Sequence, residues 1–401
     1  MLGSRAVRVA LVHDWLTGYR GGERVLLHLA QRYPDADLFT LFHDRGSVPG
    51  PIEARRVYTS PLDRLPGSAR HYRKLLPLFP WAIERFDLRG YDLVLSTSHA
   101  VAKSVCTPAG VAHIDYCFTP MRYVWDRIDA YLGTGTRRSL ARPVVRRLRR
   151  FDVRTSTTER VTRFVAISSD VADRIGRHYG RTARVVPPPV DTSWITLAEM
   201  DPEPFYLLVG GFVPYKRESL AIEAFRRNGR SLVVAGDGPG RRALERRAPS
   251  NVRFVGRVPD AELARLYRTC RAAIHPQHED FGLVAVEAQA AGRPVIGFGR
   301  GGLVDTVVPL APEAAADPSS TPVDATGVFF DEPTVDSLNQ AIERFEKVEP
   351  RFDPAALRRW ADRFSPARFD AAFDAEIALA FDEVGPARAT RSTAHVGGAV
   401  S

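Results

Sequence analysis

The sequence predicts an α/β protein made of two doubly wound parallel sheets. Two observations support this fold class: apolar strand-like runs alternate with helical stretches, and Pro187–Pro189 interrupts the alternation near the middle of the chain. Three consecutive prolines cannot continue a helix, so they mark a domain boundary. A chain of 401 residues is long enough for two domains with separate hydrophobic cores.

The composition is that of an ordinary globular protein, with 44% hydrophobic and 26% charged residues. No apolar run approaches the roughly 18 residues that a membrane span needs, so we expect none. The first strand-like run follows the first residues directly, and no signal peptide is predicted. Cys106, Cys117 and Cys270 lack metal-ligand spacing and fit free thiols in a reducing cytoplasm.

Basic charge is abundant and comes mostly from arginine. The formal net charge is +9, and only Lys74, Lys103, Lys216 and Lys347 are lysines among the 56 basic residues. Arg137–Arg150 is a dense arginine cluster with leucines and valines between the arginines. It could bind nucleic acid, rest on an anionic membrane surface, or be a solvated basic helix.

The first half contains six strand-like runs, which are Val7–Val12, Asp37–Phe42, Asp92–Ser98, Ala112–Phe118, Phe164–Ser168 and Arg184–Val186. Helical stretches such as Glu23–Tyr33, Ser169–Tyr179 and the arginine cluster separate most of them. This alternation predicts a parallel sheet.

Two polar turns follow strands of the first half. Gly18, Gly21 and Gly22 follow the first strand and allow a ligand to approach the backbone closely. Their spacing fits neither G-x-G-x-x-G nor a P-loop. His99 follows the third strand, at the sheet edge where ligands bind.

An aromatic stretch begins within the fourth strand-like run of the first half and continues beyond it. Its candidates for an acceptor contact are Tyr116, Met121, Arg122, Tyr123, Trp125 and Asp126. Aromatic faces flanked by hydrogen-bonding groups suit a carbohydrate, and they equally suit a packed wall between domains.

The second half begins with a predicted strand at Phe205–Val209 and a helix at Glu218–Arg227. Lys216 and Arg217 lie just before that helix, where free N–H groups and a cation can hold a diphosphate. Asp237 occupies a second glycine turn, after the strand that ends at Gly236. The strand-like stretch Asn251–Val258 comes next.

The region from His275 to Asp305 predicts two neighbouring strand-to-helix turns. The strand Ala272–Ile274 leads through a polar loop into the helix Leu283–Ala291, and the strand Pro294–Phe298 leads into a loop at Gly299–Gly302. Glu279 and Glu287 lie eight residues apart in this region. Carboxylates beside phosphate-binding amides suggest a ligand with hydroxyls next to its phosphates, such as a nucleotide sugar.

The C-terminal part predicts helices at Ser337–Glu346, Pro354–Phe364 and Ser365–Ala380. The last of these is amphipathic. The small and polar residues from Gly385 to Ser401 are expected to be disordered.

The motif from Glu279 through Phe281, Gly282 and Leu283 to Glu287 resembles the E-x7-E signature of retaining glycosyltransferase family 4. Residues 96–103 and 118–126 are similar to stretches of its O-antigen and lipid-linked-oligosaccharide mannosyltransferases. The resemblance implies a GT-B fold, with two Rossmann-like domains facing a central cleft. On that basis we expect an acceptor-side domain at 1–186, a linker at 187–200, a nucleotide-sugar domain at 201–364, a helix returning to the first domain at 365–384, and a disordered tail at 385–401.

The resemblance also implies residue roles. Glu279 would bind hydroxyls of the donor sugar, Glu287 the ribose, and Lys216 with Arg217 the diphosphate; His99 would reach the donor sugar near the reacting centre. The remaining donor-binding candidates are Gly21, Gly22, Asp237, Phe281, Gly282, Leu283, Gly301 and Gly302. Two positions depart from the family pattern: Gly211 stands where an arginine is expected, and Phe118 where histidine is common.

The implied activity is transfer of a hexose, with mannose from GDP-mannose favoured, to a lipid-linked or polysaccharide acceptor. No metal is expected, because no D-x-D pair follows a strand where a metal would bridge the diphosphate. A sugar-nucleotide epimerase of the same fold would need paired catalytic carboxylates. A pyridoxal-dependent phosphorylase would need Lys216 as its Schiff base, and a nucleic-acid-binding protein would rely on the arginine cluster.

Overall fold

A computed structural model describes residues 7–125, 136–213, 216–311 and 325–385 of the chain. Contacts divide it into two units. Unit 1 comprises the residues up to Ile167, Val171–Val186 and those from Asp370 onward, and unit 2 comprises Ser168–Asp170 and Pro187–Phe369. Asp126 and the predicted tail after Gly385 lie outside the described residues.

Unit 1 is built on a parallel sheet of seven strands in the order β3-β2-β1-β4-β5-β6-β7. The strands are β1 Val9–His13, β2 Asp37–Thr40, β3 Val57–Thr59, β4 Leu93–Ser98, β5 Ala112–Cys117, β6 Arg163–Ala166 and β7 Ala183–Val185. All six predicted strands of the first half start within two residues of an observed strand. The short edge strand β3 was not predicted.

The helices of the first part of the chain are α1 Gly21–Arg32, α2 Gly50–Glu53, α3 Ser68–His71, α4 Phe79–Ile83, α5 Thr136–Arg154 and α6 Ser169–Tyr179. The arginine cluster is therefore helical, as predicted. Its helix α5 buries Leu148 and Phe151 in the same hydrophobic core as Phe79 and Val94.

Unit 2 is built on a parallel sheet of six strands in the order β10-β9-β8-β11-β12-β13. Its strands are β8 Phe205–Gly210, β9 Ser231–Gly236, β10 Val252–Gly256, β11 Ala273–His275, β12 Val295–Phe298 and β13 Gly327–Phe330. In both sheets the strand order reverses beside the first strand of the unit, which is the Rossmann arrangement. The predicted α/β class with two doubly wound sheets is confirmed.

The later helices are α7 Glu218–Asn228, α8 Arg241–Glu245, α9 Asp260–Thr269, α10 Leu283–Ala290, α11 Leu303–Thr306, α12 Val335–Val348, α13 Pro354–Ala361 and α14 Pro366–Val384. Helix α9 was missed from sequence. From Asp370 onward α14 belongs to unit 1, where Asp370 pairs with His28 at 2.8 Å. Within the described ranges, no helix has the length and apolar character needed to cross a bilayer.

Candidate functional site

The candidate site of unit 2 lies where its sheet order reverses, at the carboxyl ends of β8 and β11. Doubly wound sheets bind their ligands at this switch point. The loop Gly211–Arg217 follows β8, and the loop from Pro276 to Gly282 follows β11. The fold thus places the loops that carry Lys216 and Glu279 at one edge.

Lys216 and Glu279 form an ion pair, with Nζ 2.9 Å from Oε1. His275, buried at the end of β11, has its Nε2 atom 3.5 Å from the other oxygen, Oε2. Burial alone would raise the pKa of Glu279, but Lys216 and His275 outweigh that effect and hold the pKa below its usual value. Burial likewise lowers the pKa of His275. The group is therefore a carboxylate beside an ammonium and a neutral imidazole.

The glycine loop after β12 packs backbone to backbone against the Glu279 loop. The Gly302 N–H donates to the Glu279 carbonyl oxygen at 2.8 Å. A Cβ on Gly301 would lie 2.3 Å from His278 Cδ2, and a Cβ on Gly302 would lie 2.3 Å from Asp280 O. The Gly302 amide is already engaged, so the anion contact predicted for it does not fit. What both glycines provide is close approach of the two loops.

Helix α10 carries Glu287 on its buried side. Tyr267 of α9 donates its hydroxyl to Glu287 Oε2 at 2.8 Å, and both residues are buried. Gly282 is the N-cap residue of this helix and has φ 102°, a conformation that side chains disfavour. Phe281 is buried against Phe364 and contributes packing rather than an open contact surface. Leu283, the first residue of the helix, is partly exposed.

The loop after β8 departs from the family pattern at Gly211. A Cβ built there has no atom within 4 Å, so the missing arginine is not excluded by crowding. Arg217 has a left-handed backbone at φ 53°, and its guanidinium lies 4.9 Å from the Phe298 ring centroid. Asp237 is exposed at the end of β9 and caps its own turn through Gly238 N–H at 2.8 Å.

Glu218 follows Arg217 and is buried, with Oε1 lacking a hydrogen-bond partner. Burial raises the pKa of this carboxyl. It lies beneath the turn, since a Cβ on Gly210 would come within 3.1 Å of it. Its proximity to the Lys216 turn was not predicted.

In unit 1 the corresponding switch point lies between β1 and β4. Asp14 follows β1 and is fully buried; its carboxylate accepts the backbone N–H groups of His99, Ala100, Val101 and Ala102 at 2.7–2.9 Å. Its Oδ2 atom also lies 3.1 Å from His99 Nδ1. Burial would raise the pKa of Asp14, but His99 and these hydrogen bonds lower it to about 2. The predicted site residue His99 is thus oriented by an anion.

A second histidine lies beside His99. His13 Nδ1 is 2.7 Å from Thr97 Oγ1, and its Nε2 is 3.8 Å from Glu23 Oε1. Thr97 Oγ1 also donates to Val12 O at 3.3 Å. Burial would raise the pKa of Glu23, but His13 holds that pKa below its usual value. Gly21 and Gly22 begin α1 just before Glu23.

The aromatic stretch turns out to be mostly core. Tyr116 and Met121 are fully buried, and Tyr116 donates its hydroxyl to Val186 O at 2.9 Å. These contacts correct the prediction that the two side chains touch an acceptor. Tyr123 is nearly buried, whereas Arg122 is partly exposed. Trp125 is partly exposed and donates its indole N–H to Asp152 at 2.7 Å.

Lys103 does not reach the surface. Its ammonium pairs with Asp152 Oδ1 at 3.0 Å and is 1% exposed, so it holds the β4 turn to α5. No cluster of three His, Cys, Asp or Glu side chains suited to a metal occurs among the described residues.

Comparisons with known proteins decide the family. Residues 19–194 match the family described as Glycosyltransferase Family 4, and residues 196–360 match Glycosyl transferases group 1. The chain belongs to glycosyltransferase family 4. The two matches together span every strand of this family 4 chain except β1, and they include every predicted site residue that the structure describes.

Relatives with established names share short stretches with the family 4 chain. The O-antigen chain mannosyltransferase C of Escherichia coli is 34% identical over 99 residues, 23% of this chain and 27% of that protein. The GDP-mannose-dependent alpha-mannosyltransferase of Mycolicibacterium smegmatis is 39% identical over 111 residues, 27% of this chain and 29% of that protein. The matched region therefore spans less than a third of either relative.

Solved structures agree with the GT-B fold. Sucrose-phosphate synthase from Thermosynechococcus elongatus superposes with a TM-score of 0.64 at 18% identity, covering 94% of this chain and 100% of that one. Anabaena HepE in complex with UDP gives a TM-score of 0.63 at 14% identity, covering 93% and 100%. These likenesses establish the fold of the family 4 chain.

Four of the residues that sequence reasoning missed at the two switch points are His13, Asp14, Glu23 and His275. Three of them end or directly follow the strands at the switch points, which is a signal that could have found them. The fourth, Glu23, lies in the first turn of α1. Acidic residues are common in the first turn of a helix, so the position of Glu23 did not mark it as a site residue.

Proposed function

We propose that the chain is a retaining hexosyltransferase that moves a hexose from a nucleoside-diphosphate sugar to a lipid-linked or polysaccharide acceptor. The observation that carries the proposal is the group of Lys216, Glu279 and His275, with Glu287 on the following helix. A cation that can balance a diphosphate and carboxylates that can accept sugar hydroxyls belong to one switch point. In this proposal unit 2 binds the donor and unit 1 the acceptor.

Breaking the bond between the anomeric carbon and the phosphate places negative charge on the departing diphosphate. Lys216 and Arg217 would stabilise that charge. A preorganised donor at such a position contributes about 3 kcal/mol. Arrival of the diphosphate would draw Lys216 from Glu279, leaving that carboxylate to accept hydrogen bonds from the sugar.

Mannose from GDP-mannose is the donor that we favour. The two relatives quoted above are named mannosyltransferases, and one of them is named for its dependence on GDP-mannose. UDP appears in the HepE structure, but that likeness concerns the fold alone. We further propose that cations and backbone dipoles replace a metal, and that the chain works in the cytoplasm, in peripheral contact with the inner face of the cell membrane through Arg137–Arg150.

The test is a thermal-shift panel of GDP, UDP, ADP and their sugar conjugates, with and without EDTA. GDP and GDP-mannose should raise the melting temperature most, and EDTA should change nothing. Loss of binding on chelation would remove the metal-free proposal. An absence of any nucleotide shift would overturn the donor site itself.

Two variants assign the carboxylates. Glu287→Gln should lower the affinity for every nucleotide about tenfold, because a charge-assisted hydrogen bond contributes roughly 1.5–3 kcal/mol. Glu279→Gln should chiefly weaken the sugar conjugates. Glu262→Gln is the matched control, since Glu262 is a partly exposed helix carboxylate that pairs with Arg265 and belongs to neither loop. Equal losses in all three variants would contradict the assignment.

A further inference from the structure

Unit 1 carries exposed large apolar side chains on two segments, residues 65–81 and helix α5. Eleven large apolar side chains are exposed among the described residues, and five of them lie on residues 65–81 and on α5. The five are Leu65, Leu78, Trp81, Val144 and Val153. Single exposed apolar residues need no explanation, but a concentration of this kind marks an interaction site.

Trp81 is the centre of this surface. All five tryptophans of the chain lie in the described ranges, and Trp81, at 46% exposure, is the most exposed of them. Helix α4 buries Phe79, Ala82 and Ile83, so Trp81 is not needed by the core. Leu78 lies three residues before it, and the Arg85 guanidinium lies 4.5 Å from its ring centroid. Leucine, tryptophan and arginine thus form one outward stripe.

Helix α5 lies beside this stripe. Its Leu148 and Phe151 enter the same core as Phe79. Its Arg154 contacts Glu84 of the α4 terminus, with Nη2 3.6 Å from Oε1. The exposed side of α5 then carries a row of cations, which are Arg142, Arg146, Arg147 and Arg150.

The charge around the stripe is strongly positive. Arg64, Arg70 and Lys74 are exposed on the segment that precedes Trp81. Glu84, the acid closest to Trp81 in the chain, is already engaged by Arg160 at 2.9 Å as well as by Arg154. Residues 64–85 and helix α5 therefore combine exposed apolar side chains with cations that Glu84 does not neutralise.

We propose that the Trp81 surface, defined by Leu78, Trp81, Arg85 and the exposed arginines of α5, docks unit 1 on an anionic lipid bilayer. The inference rests on the proposed transfer to a lipid-linked acceptor and identifies where the membrane is met. Tryptophan prefers the headgroup level of a bilayer, apolar side chains insert beside it, and arginines attract anionic lipids. A nucleic acid would use the arginines but would leave Leu78, Val144 and Val153 in water.

The experiment is co-sedimentation of the full chain with phosphatidylcholine vesicles that contain increasing fractions of phosphatidylglycerol. Binding should rise with the anionic fraction and fall with salt. Leu78→Ser with Trp81→Ser should lower the partition coefficient at least about tenfold, and so should Arg146→Gln with Arg147→Gln. The matched controls are Leu379→Ser, exposed on α14, and Arg242→Gln with Arg246→Gln, exposed on unit 2. Both controls should stay within about twofold of the parent chain.

Tryptophan fluorescence adds a readout that charge alone does not move. Anionic vesicles should shift the emission of the parent chain to shorter wavelength, and the shift should be absent from Trp81→Phe. Failure to bind anionic vesicles, or equal losses in the controls, would overturn the proposal. Tight binding to RNA or DNA that ignores the Leu78 and Trp81 changes would replace it with a nucleic-acid surface.

The outcome is separable from that of the proposed function. The vesicle-binding variants should keep the GDP thermal shift of the parent chain, because none of the changed residues lies in unit 2. Vesicle binding without any nucleotide binding would support the membrane-docking proposal and contradict the proposed donor site.

Discussion

At the scale of single residues, Lys216 and Glu279 each act on the charge of the other. Both side chains are about one-fifth exposed, so solvent screens their attraction and the pair adds little to stability. Its importance is in function, because an incoming diphosphate competes with Glu279 for the ammonium. The site can thus exchange one anion for another without creating an unpaired lysine.

Gly211→Arg tests whether glycine at this position lowers the affinity of the chain for the diphosphate. The space around the Gly211 Cβ position is open, so the arginine can be accommodated. Its guanidinium should raise the affinity for GDP about tenfold, as expected from one charge-assisted hydrogen bond. Isothermal titration with GDP and with guanosine measures the effect, and guanosine affinity should not change.

Gly211→Gln is the control for this prediction, because glutamine adds length and polarity without charge. The glutamine variant should bind GDP as the parent chain does. Equal gains for both variants, or a gain for guanosine, would show that the added side chain acts through packing and not on the diphosphate.

At the scale of loops and helices, the contact between the Gly301 turn and the Glu279 loop positions the acidic side of the site. Gly301 has φ 70°, and a Cβ there would also lie 2.4 Å from the Glu279 carbonyl oxygen. The backbone of one loop is therefore in direct contact with that of the other. A displacement of either loop moves Glu279.

Gly301→Ala should lower the melting temperature and weaken binding of nucleotide sugars, because the methyl group forces these loops apart. Gly229→Ala is the matched control: Gly229 has nearly the same φ, 71°, with no atom within 4 Å. The control should lose only the left-handed backbone term, about 1 kcal/mol, and should bind normally. Differential scanning fluorimetry and titration with GDP-mannose compare the two, and identical behaviour would refute the steric argument.

Most elements could be predicted from the sequence because strand-like and helical patterns alternate clearly. Strand β3 escaped because Val57–Thr59 is a three-residue edge strand without a fully buried side chain. Helix α9 carried a usable signal, with Pro259 before it and Asp260 and Glu262 in its first turn. Overlooking it also hid Tyr267, and with it the hydrogen bond that holds Glu287.

At the scale of the whole molecule, burial is what the sequence left undetermined. The motifs located His99, Lys216 and Glu279 in loops that follow strands, and Glu287 on the helix that follows Glu279. They could not show that Tyr116 and Met121 face the core, because an aromatic stretch reads the same whether it packs inside or faces a ligand. Pairing across distant segments, such as Lys103 with Asp152, is likewise invisible to local pattern.

The buried carboxyl of Asp115 should make the free energy of unfolding depend on pH. It is fully buried on β5, where Ser96 and Ser98 donate to it at 2.7 and 2.8 Å, and burial raises its pKa from 3.8 to about 7. The folded state therefore holds a proton that the unfolded chain releases near pH 4. The contribution is complete below the unfolded pKa and is lost as pH rises toward 7, at up to about 1.4 kcal/mol per pH unit.

Asp115→Asn removes this titration. The stability of the variant relative to the parent chain should therefore increase steadily between pH 4 and pH 7 and then level off. Urea denaturation at intervals across that range measures the difference. A difference that is constant with pH would mean that Asp115 does not take up a proton on folding.

The scarcity of lysine gives the molecule four well-separated reporters. Lys74 belongs to the segment beside Trp81, Lys216 to the donor loop and Lys347 to the exposed side of α12, while Lys103 is enclosed. Reductive methylation with isotopically enriched formaldehyde would label the first three amines and spare Lys103 until the chain unfolds. A single carbon-13 spectrum could then follow bilayer contact, nucleotide entry and loss of the native core as separate resonances.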